Sequence, residues 1–421
     1  MLLKISNLQK TLFLRKLRSV FQHKTVKFSC ASSHGDYKFK DTPKVSYEGL
    51  YVQDLQNLTE HFDESSFEYR TVQRLYQGLC SSDRASLAES ITLVESGNST
   101  KKHMGQTLLQ SVMSQMKSSP RESNLTKFFE ENVTEKKDTR TELRTMRIGI
   151  TGPPGAGKST FIENFGIYLT KKLGLKVAVL AVDPSSNRTG GSLLGDKTRM
   201  SQLSVEPMAY VRPSPSQGEL GGVARNTMEA LLLCEGAGYD VMIIETVGVG
   251  QSEVAVADMT DMFVLLIPPA GGDELQGLKR GIIENCDFVL VNKADGDLLP
   301  AARKIQTEYT SALKFIPRKH EEWRTRVRRV SSLNGDGIDD LWLLMIDFYS
   351  ALLASGKFES MRMQQRKIWM WHHIHSDILQ RFKKNLSVTE KLHSLTKLVE
   401  NGDVTPGVAS DILLDNFFNK N

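Results

Sequence analysis

The stretch Gly152-Pro153-Pro154-Gly155-Ala156-Gly157-Lys158-Ser159-Thr160 has the spacing G-x-x-x-x-G-K-[ST]. That spacing suits the holding of phosphates. Glycines let the backbone turn tightly and aim successive N–H groups into one concavity, and a helix that follows adds its positive N-terminal end. Lys158 supplies a mobile point charge for the outer phosphates, and the Ser159 hydroxyl suits Mg²⁺. The apolar run Met146–Ile150 before the loop and the helical spacing of Phe161–Leu169 after it supply the strand–loop–helix context. The first expectation is a bound nucleotide.

Further stretches carry chemistry downstream. Val182-Asp183-Pro184-Ser185-Ser186, with the Gly-rich segment from Gly190 to Arg199, offers the carboxylates of Asp183 and Asp196 to Mg²⁺, although Asp183-Pro184 is also an ordinary turn. In Ile243–Ser252, Glu245 ends an apolar strand, where an acid can orient Mg²⁺ through its water shell, and Gly248 lets a backbone N–H approach a γ-phosphate. Gln251 comes three positions after Gly248, so the group that orients an attacking water stays open. Asn292-Lys293-Ala294-Asp295 has N-K-x-D spacing, which reads guanine. Its Asp accepts from the ring N–H and the exocyclic amine together, and Lys293 lays its stem along the base. Adenine would leave that carboxylate unpaired. Ser331-Ser332-Leu333 offers backbone N–H groups to support the base. Together these stretches specify a GTPase that uses Mg²⁺, with GTP as substrate and GDP as product.

Such residues must be carried to one place by regular elements. Strand-like runs fall at Arg147–Thr151, Lys176–Val182, Ala209–Arg212, Val241–Glu245, Met262–Ile267, Phe288–Asn292 and Arg326–Ser331. Helical segments alternate with them at Lys158–Lys172, Gly222–Glu235, Leu275–Glu284, Pro300–Ile316 and Ile338–Ala354. Apolar strands without polar alternation suit burial on both faces, so the expected fold is α/β with a mainly parallel sheet and its site at the carboxyl ends of the strands. The phosphate-loop domain is expected over 145–355. An N-terminal helical segment and linker precede it over 68–144, with Ser82 and Asp83 as N-cap candidates for the second helix and 118–144 as the linker. A helical arm over 356–421 follows, and its Met361/Ile368/Trp371/Ile378/Phe382 stripe reads as a homodimer interface. The loop Pro268–Gly277 is long, Gly-rich and placed at a strand end. It is either a plain turn or a relay of nucleotide state to a partner.

The net charge of +5 is concentrated at the start. The first 35 residues hold seven cations and no acid, and without them the formal charge is −2. That argues against a nucleic-acid-binding body. An amphipathic, basic, acid-free start reads as a mitochondrial transit peptide over 1–35, followed by a poorly structured 36–67. The four cysteines are far apart and suit a non-oxidising compartment. No apolar run reaches membrane-span length, and no membrane partner is expected. His372, His373 and His375 lack metal-ligand spacing.

The quoted motifs, with G-G-S-L-L-G-D-K-T-R-M, E-T-V-G-V-G-Q-S and P-A-G-G-D-E-L-Q-G, together resemble the MeaB/ArgK family of GTPases from about Tyr69 to the C-terminus. The resemblance implies a GTP-hydrolysing chaperone of methylmalonyl-CoA mutase that gates adenosylcobalamin loading and protects or reactivates the mutase. It further implies a homodimer held by C-terminal helices, residence in the mitochondrial matrix, and an adenosylcobalamin-delivering adenosyltransferase as a further partner. By position it matches Lys158, Asp183, Asp196 and Glu245 to nucleotide and Mg²⁺ residues, and Gly271–Lys279 to a loop that senses the mutase. Lys158, Asp196, Glu245 and Gly248 are then the expected catalytic set. The alternatives are a metal-insertion GTPase, which needs a Cys/His site, and a transport-related nucleotide-dependent kinase, against which the N-K-x-D spacing argues.

Overall fold

Among the described residues seven strands form one sheet in the order β3-β2-β4-β1-β5-β6-β7, and every neighbouring pair is parallel. They are β1 Met146–Thr151, β2 Val177–Asp183, β3 Ala209–Pro215, β4 Val241–Thr246, β5 Met262–Ile267, β6 Phe288–Val291 and β7 Arg326–Arg329. The computed structural model describes residues 62–63, 65–118, 123–132, 145–183, 200–215, 220–246, 252–269 and 280–418. Strands β1, β4, β5 and β6 are buried along their whole length. Helices therefore cover both faces, as a parallel sheet requires.

Of the helices, α1 (Phe67–Cys80), α2 (Arg84–Val94), α3 (Ser99–Ser118) and α4 (Asn124–Asn132) precede the sheet. Between the strands lie α5 (Lys158–Ile167), α6 (Ser201–Val205), α7 (Leu220–Gly236), α8 (Ser252–Ala257), α9 (Arg280–Asn285) and α10 (Leu299–Ala312). After the sheet come α11 (Ile338–Ala354), α12 (Lys357–Lys384), α13 (Leu386–Glu400) and α14 (Pro406–Phe418).

Two cores separate by sheet face, following the two-residue period of the strands. On one face Ala178, Leu180, Met242, Ile244 and Leu265 pack with Leu75, Leu79, Leu87, Ile91 and Leu108 of α1–α3 and with Leu231 of α7. On the other, Ile148, Ile150, Val179, Ile243 and Leu266 pack with Phe161 and Phe165 of α5 and with Trp342, Phe348 and Tyr349 of α11. The stripes of the N-terminal helices are thus packing surface. Of the two cap candidates, Asp83 caps α2, accepting from the N–H groups of Ala85 and Ser86, while Ser82 turns through a positive φ of 60° before it.

Three local expectations differ from what is observed. The 118–144 stretch contains helix α4, because Leu125 and Phe129, four residues apart, bury one face that the surrounding charge conceals. The helix expected over Lys158–Lys172 is α-helical to Ile167 and continues as a π-turn, Tyr168–Lys172. Of the C-terminal stripe, Met361 and Ile368 face inward, and the exposed set on α12 is Met363, Met370, Trp371, Ile374, Ile378 and Leu379.

The chain divides into a larger unit, His61–Ser376, and a smaller one whose described residues are 377–418. The larger unit runs on through α12 as far as Ser376. There Arg362 donates to Asp261 at 2.6 Å, Gln365 donates to the Thr260 carbonyl, and Trp369 is buried. In the smaller unit Val388, Leu395, Ala409 and Leu413 form a separate core. No single described helix is long and apolar enough to cross a membrane. The readings for residues 1–35, and for 36–61 of the segment after them, fall outside the described residues.

Candidate functional site

Parallel register brings the carboxyl ends of the central strands side by side. Ile150 stands opposite Glu245 of β4 and opposite Val264 of β5. The loop after β1 therefore begins between the ends of β4 and β5, where ligands bind in open α/β sheets.

Two glycines in that loop are dictated by close approach. A Cβ on Gly152 (φ 154°) would stand 2.1 Å from the Leu266 carbonyl oxygen, which is backbone and has no room to move. One on Gly157 (φ 86°) would stand 2.6 Å from Asn292 Nδ2 and 3.7 Å from Lys293 Cε. Helix α5 starts immediately after, at Lys158, so its unpaired N-terminal N–H groups and dipole face the loop. Pro153, Pro154 and Gly155 form the outer turn, closed by the Ala156 N–H donating to the Pro153 carbonyl at 3.2 Å. Lys158 donates from Nζ to the Gly152 carbonyl at 2.7 Å and to the Pro153 carbonyl at 3.3 Å, so its charge already lies over the concavity. Beside it, Ser159 Oγ donates to Glu245 Oε1 at 3.1 Å, with Glu245 buried. Thr160 follows on the exposed side of the helix's first turn.

The Asn-Lys-x-Asp segment leaves β6 against this same loop. Asn292, 1% exposed, donates from Nδ2 to the Ala156 carbonyl at 2.9 Å and accepts at Oδ1 from the Ser332 N–H and hydroxyl at 3.2 and 2.6 Å. Lys293 takes a left-handed backbone (φ 57°), and the Ala294 N–H returns to the Val330 carbonyl. Asp295 accepts from Ser331 Oγ. Ser331 and Ser332 are buried, whereas Leu333 is 79% exposed. The carboxyl ends of the parallel strands β1, β4, β6 and β7 thus deliver the loop, the acid, the Asn-Lys-x-Asp segment and Ser331–Leu333 to one rim of the sheet.

Two features of this rim have no motif in the sequence. Thr246 Oγ1 donates to Thr151 Oγ1 at 2.9 Å, tying the ends of β4 and β1 together. Asn164 on α5 donates to the Ser332 carbonyl. The only sequence signal for the latter is a polar pair, Glu163-Asn164, inside the run Phe161–Phe165. Asp183 ends β2 beside β4, but its side chain, Asp196, Gly248 and the 271–279 stretch lie outside the described residues. Among the described residues no group of His, Cys, Asp and Glu comes together as a metal site.

A phosphate loop opening a parallel sheet, with an Asn-Lys-x-Asp segment hydrogen-bonded to its back, defines a P-loop GTPase that binds guanine nucleotide. The chain belongs to the family of methylmalonyl Co-A mutase-associated GTPases, MeaB, whose sequence model matches residues 133–387. It is 52% identical over 363 residues to the mouse protein named methylmalonic aciduria type A homolog, mitochondrial, covering 86% of this chain and 83% of that one. The Caenorhabditis elegans protein of the same name is 45% identical over 93% of this chain and 96% of its own length. Escherichia coli GTPase ArgK is 42% identical over 80% of this chain and 92% of its own. Among solved structures, the crystal structure of an LAO/AO transport system kinase superposes with a TM-score of 0.59 at 35% identity, covering 82% of this chain and 97% of that one.

Proposed function

We propose that this GTPase is a mitochondrial matrix chaperone of methylmalonyl-CoA mutase, using GTP hydrolysis to gate adenosylcobalamin loading and to protect or reactivate the mutase. One observation carries the reading: the match to the mutase-associated GTPase family spans the whole sheet and the site on its rim. The mitochondrial names of the mouse and nematode relatives support the location. The exposed Met370, Trp371, Ile374 and Ile378 on α12 support a homodimer. An adenosyltransferase that delivers adenosylcobalamin is a further partner in this reading.

In the site, Gly152–Thr160 holds the phosphates and Lys158 faces the outer ones. Asn292, Lys293, Asp295 and Ser331–Leu333 bind the base. Ser159 and Glu245, hard oxygen donors 3.1 Å apart, suit Mg²⁺, with Asp183 and Asp196 as the further carboxylates of the set. When bound, the ion neutralises charge on the phosphates. Lys158 and the α5 N-terminus do the same from the protein side, and the Gly248 N–H meets the γ-phosphate. With no glutamine directly after Gly248, intrinsic turnover is slow. The test is steady-state phosphate release with and without purified methylmalonyl-CoA mutase. Acceleration by the mutase is expected, and an unchanged rate would sink the coupling. In the same assay Asp295→Asn checks base reading: an amide in place of the carboxylate should transfer preference from GTP to XTP.

A further inference from the structure

Ser332 is gripped from two directions. Asn292 takes its N–H and hydroxyl, while Asn164 Nδ2 donates to its carbonyl at 2.5 Å and to the Thr160 carbonyl of its own helix at 3.2 Å. Both asparagines are founded on the phosphate loop. Asn292 bonds the Ala156 carbonyl, and Asn164 stands on the helix that starts at Lys158.

The backbone donors that follow are nearly all committed. The N–H of Ser331 goes to the Asp336 carbonyl, that of Asn334 to Ser331 Oγ, and that of Gly335 to the Ser331 carbonyl. Among residues 331–335 this leaves the Leu333 N–H as the donor without a protein acceptor, on a residue 79% exposed. The Ser332 carbonyl and the Leu333 N–H belong to one planar trans peptide and point in opposite directions. Fixing the oxygen toward α5 therefore fixes the direction of the N–H.

We propose that Asn164 is a positioning residue for base recognition, which, by holding the Ser332 carbonyl, aims the Leu333 N–H at the 6-oxygen of the purine. This rests on the reading of Ser331–Leu333 as base-supporting. Asn164 spends its amide on the Ser332 and Thr160 carbonyls, so in this proposal its loss acts through the Ser332–Leu333 peptide on binding of one base atom.

The experiment compares wild type with Asn164→Ala and with Asn164→Asp, which keeps the size and removes the donor. Substrates are GTP, ITP (no 2-amino group) and 2-aminopurine riboside triphosphate (no 6-oxygen). For both variants KM for GTP and for ITP should rise by roughly threefold to tenfold, the worth of one oriented hydrogen bond. The kcat should stay near wild type, and KM for the 2-aminopurine nucleotide should not move. Asn164→Gln, which restores an amide donor, should recover part of the loss. An unchanged KM for GTP in both variants, or an equal rise for the 2-aminopurine nucleotide, would overturn the proposal. Asp295→Asn separates the two readings. If it fails to shift preference to XTP, the base assignment itself falls. If it shifts while Asn164→Ala and Asn164→Asp stay silent, only the role of Asn164 falls.

Discussion

Asn292 Nδ2 meets the carbonyl of Ala156 at 2.9 Å, and the same side chain accepts from Ser332 through its oxygen. A single buried amide therefore joins the back of the phosphate loop to the segment after β7, and it uses both ends to do so. Asn292→Asp keeps the acceptor but sets a carboxylate against the Ala156 and Gly157 carbonyls. It should cost about 1–3 kcal/mol of stability from the broken buried hydrogen bonds, and it should weaken GDP and GTP together. Denaturant melts and fluorescent-nucleotide titration check both effects, and a weakening confined to one nucleotide would contradict this account.

Gly157→Ala tests the same junction from the loop side. The added methyl would stand 2.6 Å from Asn292 Nδ2 on a backbone with φ 86°. The left-handed conformation alone costs an alanine about 1–2 kcal/mol, and displacement of Asn292 adds to it. The expected outcome is a lower melting temperature together with lost nucleotide affinity. Gly155→Ala has the same sign of φ but nothing within 4 Å of the new atom, so its damage should be the smaller.

Lys158 should be needed for turnover and dispensable for folding. Its Nζ donates to the Gly152 and Pro153 carbonyls of its own loop, and Lys158 belongs to neither hydrophobic core, so Lys158→Ala leaves the cores untouched. The loss of one preorganised charge over the phosphates should lower GTP hydrolysis by roughly 10²–10³-fold. The melting temperature without nucleotide should stay near wild type. Phosphate release and calorimetry on the same sample decide it.

A buried ion network on the opposite, amino-terminal side of β1 governs stability in acid. Arg147 donates to both carboxylate oxygens of Glu235 at 2.8 Å, with side chains 6% and 2% exposed, and Arg362 lies 3.6 Å away. Burial alone would push the Glu235 carboxyl up. The charges of Arg147 and Arg362, with hydrogen bonds from Arg147 and Thr145, outweigh it and hold the group at about 2. A depressed carboxylate stabilises the fold fully above its ordinary value of 4.5 and loses that contribution as pH falls toward about 2. Melting temperature should therefore drop through that window, and less steeply in Glu235→Gln. That variant should itself cost about 3–5 kcal/mol by leaving Arg147 unpaired. Glu89→Gln, which breaks the exposed Arg74–Glu89 pair, should cost about 1 kcal/mol or less.

Much of the site can be read before folding because its parts are contiguous. Gly152–Thr160 and Asn292–Asp295 each carry their chemistry within a few residues, and the strands around them are apolar runs whose burial follows from composition. The class of fold, the nucleotide and the order of the strands along the chain follow from that local information. Strand order in space does not, because β1 sits between β4 and β5 only through pairing across most of the domain. Nor do the contacts that lock the site. Thr151 with Thr246, Asn164 with Ser332, and Arg147 with Glu235 join residues separated by 95, 168 and 88 positions, and no periodicity records which distant polar group a side chain will find. The hydrophobic pattern is a one-dimensional property, set by which face each residue must bury. The pairing of buried polar groups is decided only when those faces close, since a donor in a dry interior must take an acceptor that packing brings within reach.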